Sequence, residues 1–131
     1  MTSKDYLDKL FGAGAGDAHT KFVDRLAHPA LRETLHRYHE LESDETNLSI
    51  EENYLIGMSV LLAQRNFAPA AMFAKTLRHL GVPAAKLVEV TARLEMWIGG
   101  IAAAEAAAHV QKAIKEYDEQ GLASMAGWFP K

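Results

Sequence analysis

The chain has 131 residues, a formal net charge of −3 and no cysteine. That length suits one domain with a sizeable core. Interspersed charges leave no Lys/Arg block for a phosphate backbone, the missing thiols exclude disulfides and thiolate chemistry, and no apolar run is long enough to span a bilayer.

The opening, MTSKDYLDKL, lacks the charged-then-apolar layout of a signal peptide. A soluble, cytoplasmic protein with neither nucleic-acid nor membrane partners is expected. Alanine is abundant and long β-branched runs are missing, which predicts an all-α fold. The expected organisation is a single domain over 1–131. Within it, 1–16 form a short helix and a Gly-rich joint, 29–120 the core, and 121–131 a tail.

Ser3 is placed to cap a helix over KDYLDKLF that stops at Gly12. GAGAG then reads as a breaker and a mobile joint, and Asp17 or Thr20 starts a second short helix. His28-Pro29 interrupts it, and Pro29 opens a third helix to about Glu42. Leu31, Leu35 and Tyr38 form the apolar stripe of that helix. After SDETN, Ser49 with Glu52 three residues on is a capping box for a central helix. Ile50, Tyr54, Met58 and Leu61 share one of its faces.

Arg65-Asn66 reads as a joint. The next helix turns Phe67, Ala70, Phe73, Ala74 and Leu77 inward and Lys75, Arg78 and His79 outward, with Pro69 in its first turn. Gly81 ends that helix and Pro83 starts another, whose apolar face runs through Leu87, Val90, Leu94 and Trp97 until Gly99-Gly100. The last helix is Ala-rich and closes at Gly121. Trp128 and Phe129 in the tail are apolar anchors for a pocket, a neighbouring chain or the chain's own surface.

Four groupings carry possible chemistry. Glu33, His36 and His39 follow a three-residue spacing, but a carboxylate di-metal bundle needs a second Glu-x-x-His. None is present, so a solvated helix face with His39 at its boundary is the simpler reading, and no metal is expected. Tyr54, Glu95 and Trp97 fall on largely apolar surfaces. A buried Glu95 would have a raised pKa suited to proton transfer; an exposed one would reach solvent or pair with Arg93 or a neighbouring subunit. Arg65 and Asn66, beside a helix start, fit either a carboxylate site or a structural ion pair. Trp128 and Phe129 are the fourth group. His109 reads as a polar-face residue.

The segment from about Pro29 to Glu105 resembles the carboxymuconolactone decarboxylase and AhpD-like family. The carrying stretches are LRETLHRYHELES, SIEENYLIGMSVLLA, MFAKTLRHLGVPAAKLVEV and EMWIGGIAAAEA. The resemblance implies a bundle of about six to seven helices assembled as a homo-oligomer, a trimer or hexamer. The positions matching the redox branch's two cysteines and helper histidine hold Asn66, Pro69 and Phe73, and Tyr54 stands where a Glu is frequent. Thiol peroxidase chemistry needs a thiolate and is therefore excluded. The resemblance implies instead a cofactor-free lyase, isomerase or hydrolase for a small cyclic or aromatic acid or lactone. Tyr54, Glu95 and Asn66 would be its catalytic residues, and Arg65, Phe73, Trp97 and His39 would bind the substrate. The alternative is a catalytically inactive binding or assembly protein that keeps the oligomer.

Overall fold

A computed structural model describes residues 1–25 and 28–126, and over these the chain is helical with no strand. In order come α1 (Ser3–Phe11), α2 (Ala15–Asp24), α3 (Pro29–Ser43), α4 (Ile50–Ala63), α5 (Phe67–His79), α6 (Ala84–Arg93), a single-turn α7 (Glu95–Ile98), α8 (Gly100–Gln120) and a 3-10 turn over Gly121–Met125. Seven of the helices have nine or more residues. They group into two compact units, Met1–Ile50 and Glu51–Met125. No helix among the described residues is long and apolar enough to cross a membrane. Trp128 and Phe129 lie outside the described residues.

In the first unit α1 is capped by Thr2, not Ser3. The Thr2 hydroxyl accepts the Asp5 N–H at 3.1 Å. Gly12 (φ 95°) ends the helix, and its N–H reaches the Asp8 carbonyl. The Gly-rich stretch is a tight turn, and α2 begins at Ala15, earlier than Asp17. Two contacts explain this. The Asp8 carboxylate accepts the Gly16 N–H at 2.7 Å, placing a negative charge on the first turn of α2. Lys4 also pairs with Asp17 at 3.0 Å. At Gly16 the helices nearly touch: a Cβ would lie 2.6 Å from the Lys4 carbonyl oxygen and 2.8 Å from its Cα. Tyr6, Leu7, Leu10 and Val23 are buried in this unit.

Helix α3 opens at Pro29 as expected, and the His28 imidazole accepts the Ala30 N–H at 3.1 Å. Its orientation differs from the periodicity reading. Leu31 and Tyr38 are exposed, and so is Leu41. The polar edge turns inward instead, because α1 offers it partners: Tyr6 donates to Glu42 and Ser3 bonds His39.

In the second unit α8 is the hub, packed on α5 and α6, with the 3-10 turn against it and α5. Ala103, Ala106, Val110 and Ala113 are its buried stripe, and their small side chains permit close approach. Ala70, Ala74 and Leu77 of α5 and Leu87 of α6 complete the core as the periodicity predicts. Helix α4 adds Tyr54, Met58 and Leu62. Gly57 abuts the Phe73 ring so closely that a Cβ would fall 2.5 Å from it.

Three residues expected to face solvent are fixed to other elements. Lys75 is buried, with its ammonium 2.7 Å from Glu116 and 2.9 Å from the Ser124 carbonyl. Arg78 bonds Asp118 at 2.8 Å and the Val82 carbonyl at 2.8 Å. His79 and the Tyr117 hydroxyl are 2.9 Å apart. Burying Lys75 is tolerable because the ammonium keeps a charge partner and a carbonyl acceptor. Finally, the helix expected over 83–98 breaks at Leu94. Trp97 and Met96 leave the apolar face and are 80% and 85% exposed.

Candidate functional site

The sequence-predicted site residues occupy separate places. Tyr54 is 5% exposed and stacks on Phe73, ring centroids 4.6 Å apart at 33°, within the core between α4 and α5. Asn66 is exposed at the start of α5, where its side chain caps nothing. Arg65 ties to Glu105 of α8 at 2.7 Å and lies 5.9 Å over the Phe67 ring, so the structural ion pair forms. Glu95 is exposed and does not sit in a dry pocket. Trp97 projects to solvent, away from Phe73's stack with Tyr54.

His39 lies in the first unit, in a polar cluster of its own. Its Nδ1 is 2.7 Å from the Ser3 hydroxyl, and its ring meets His19 edge-on at 4.6 Å. Tyr6 is 5.9 Å from the same ring and donates its hydroxyl to Glu42 at 2.8 Å. Burial, followed by the nearby His19 and His36 rings, pushes His39 down to about 4. His19 is lowered by burial and then by His36. Burial raises Glu42, against the opposing effect of the Tyr6 hydrogen bond. These groups are therefore a neutral histidine pair near neutral pH. Glu33 is engaged by Arg37 at 2.7 Å, and among the described residues no three acidic or histidine side chains gather to hold a metal.

Among the described residues of the second unit, a wider and a narrower groove bear on the site. The wider, about 310 Å3, lies between α5 and α8. Ala68, Ala71 and Ala113 line it together with Lys112 and Glu116. Phe67 and His109 form one wall as a parallel stack, centroids 4.0 Å apart and 8° from coplanar. The hydrogen bond and charge contact with Lys75 lower the Glu116 pKa. Lys112 lies 4.0 Å from that already paired carboxylate and is 76% exposed. The groove thus combines an apolar lining, a flat aromatic wall, an imidazole and a cation open to a ligand, the usual makeup of a small-ligand site.

The narrower groove, about 220 Å3, runs between α6 and α8, with Glu95 at its edge and Thr91, Gly100, Ala103, Ala104 and Ala107 among its lining. Gly100 sits against Glu95: a Cβ there would come 3.2 Å from the Glu95 carboxylate.

Sequence reasoning missed His109, Lys112 and Phe67 as a group. His109, Lys112 and Glu116 share a face through spacings of three and four, which was available as a signal. Their meeting with Phe67 depends on the register of α5 against α8, which no local pattern encodes. Compared with family models, curated proteins and solved structures, the chain finds no match in any of the three.

Proposed function

We propose that this is a cytoplasmic, cofactor-free, carboxymuconolactone-decarboxylase-like protein. It takes a small cyclic or aromatic acid, or a lactone, into the groove between α5 and α8. The observation that supports this reading is the Phe67–His109 stack in an alanine-lined groove with Lys112. A planar ring extends such a wall by stacking. Lys112 supplies a point charge for a carboxylate. His109, within the same groove, is the group able to move a proton to or from the bound ring, as a lyase or isomerase step requires.

The expected result is that benzoate or a small γ-lactone shifts the amide resonances of Phe67, Ala71 and His109. Lys112→Ala should weaken benzoate about tenfold, as expected for loss of one charge-assisted contact, and leave the lactone nearly unchanged. His109→Gln should keep binding and abolish any turnover. Shifts that map to Tyr54 and Phe73 instead would return the site to the α4–α5 aromatic pair.

A second reading, an assembly protein that forms a homo-oligomer, is favoured by a different observation. Met96, Trp97 and Ile101 are 85%, 80% and 89% exposed within six residues of chain. Large apolar side chains so clustered and so open are characteristic of surfaces that a partner covers.

A further inference from the structure

We infer that Trp97 of one copy seats in the α6–α8 groove of a second copy, joining the copies head to tail. This inference rests on the assembly reading above and names its contact.

The short helix α7 carries Trp97. It is one helical turn, so Glu95 and Trp97, two residues apart, point about 200° from each other. Glu95 lies at the groove edge against Gly100. Trp97 therefore points away from the groove of its own chain, consistent with its 80% exposure. Gly99, with φ 87°, turns the chain directly into α8.

Knob and hole are chemically matched. The groove is small and apolar, lined by Ala103, Ala104 and Ala107, with one carboxylate at its edge. The Glu95 carboxylate has neither a hydrogen bond nor an ion pair among the described residues. An indole is apolar with one N–H donor at its edge, and it needs an acceptor when buried. Seating Trp97 places its Nε1–H to donate to Glu95 of the receiving copy. Met96 and Ile101 flank the knob and add apolar rim.

Geometry and area then select the kind of assembly. Knob and groove point in different directions, so the contact is heterologous and not a two-fold pair, and it closes as a ring where the rotation between copies allows. The exposed knob amounts to on the order of 400 Å2, so one knob-in-groove contact buries roughly 800 Å2 in total, short of a stable interface. Ring closure gives each copy two such contacts.

Sedimentation velocity on the full chain tests this with two variants and their mixture. Wild type should run as a closed ring of three or more copies. Trp97→Ala removes the knob, and Ala104→Leu fills the groove at an exposed helical position. Each alone should lose association about 30-fold or more, the effect of removing a buried aromatic anchor. Mixed at equal concentration, the Ala104→Leu chain still has a knob and the Trp97→Ala chain still has a groove. At high protein concentration, where a single weak contact is populated, the mixture should form heterodimers that cannot extend further. A wild-type monomer at all concentrations overturns both this contact and the assembly reading. Wild-type rings that persist in Trp97→Ala overturn the contact and leave the assembly reading standing. Variants that dissociate alone but do not pair when mixed overturn the groove as the receiving surface.

Discussion

Acidification from pH 6.5 to 4 is expected to loosen the α1–α2–α3 unit before the α5–α8 core. The cause is the histidine cluster. His39 titrates near its ordinary 6.5 when unfolded and about 4 when folded. Folding favours the neutral ring, so its stabilising contribution is complete above 6.5. That contribution declines as pH falls and is gone once the folded ring protonates. His19 has the same sign. Two protonated rings 4.6 Å apart would also repel. Glu42 works the other way: its raised folded pKa stabilises the acid form and offsets part of the loss.

The full His39 shift corresponds to about 3 kcal/mol, and the partial exposure of the ring reduces this to about 1–2 kcal/mol. Amide hydrogen exchange measured on the full chain at both pH values is the check. Protection over α1 and α3 should fall by roughly tenfold relative to α5 and α8, given 1.4 kcal/mol per factor of ten. His39→Asn, which keeps a polar partner for Ser3 but cannot charge, should remove most of that difference. An unchanged pH dependence in His39→Asn would show that the cluster is not responsible.

Gly16→Ala is expected to destabilise the same unit by about 2–3 kcal/mol, even though alanine gains about 1 kcal/mol in helix propensity. The new methyl group would meet backbone atoms of Lys4, which cannot rotate away as a side chain can. The helices must separate, and the Asp8 cap and Lys4–Asp17 pair weaken together. Gly14→Ala is the contrasting variant. Its site has open space but a left-handed backbone with φ 90°, so only the conformational cost of about 1 kcal/mol applies. Urea unfolding of the two variants beside wild type measures the difference. A Gly16→Ala protein as stable as wild type would mean that the helices do not approach this closely.

Much of the architecture was legible in local chemistry. Pro29, Ser49-Glu52, Gly81 and Gly121 are punctuation that acts through backbone geometry, and the helix ends follow them. The Ala70–Ala74–Leu77 stripe faces inward as its helical spacing predicts. Failure came where a tertiary partner reversed a local preference. Tyr6 and Ser3 draw the polar edge of α3 inward, so Leu31 and Tyr38 stay exposed. Glu116 and Ser124 similarly draw Lys75 in. The candidate site was less legible for the same reason. Tyr54, Glu95 and Trp97 all occupy helical positions with apolar neighbours in sequence, yet one is core, one lies at a groove edge and one projects into solvent. The groove that does unite an aromatic ring, an imidazole and a cation is made by the pairing of two helices far apart in sequence.

The joint at Arg65 links salt concentration to this groove. Arg65 adopts φ 57°, a left-handed conformation that costs a non-glycine residue about 1–2 kcal/mol. Its guanidinium holds Glu105 of α8 and overlies Phe67, the first residue of α5 and half of the groove's stacked wall. Dissolved ions compete for that largely exposed guanidinium. Raising ionic strength therefore slackens a spring whose far end is the Phe67 ring. The groove should then lose grip even on a neutral lactone, for which Lys112 offers no charge attraction to screen. Ionic strength would tune this protein's capacity to hold an uncharged guest through the shape of a wall.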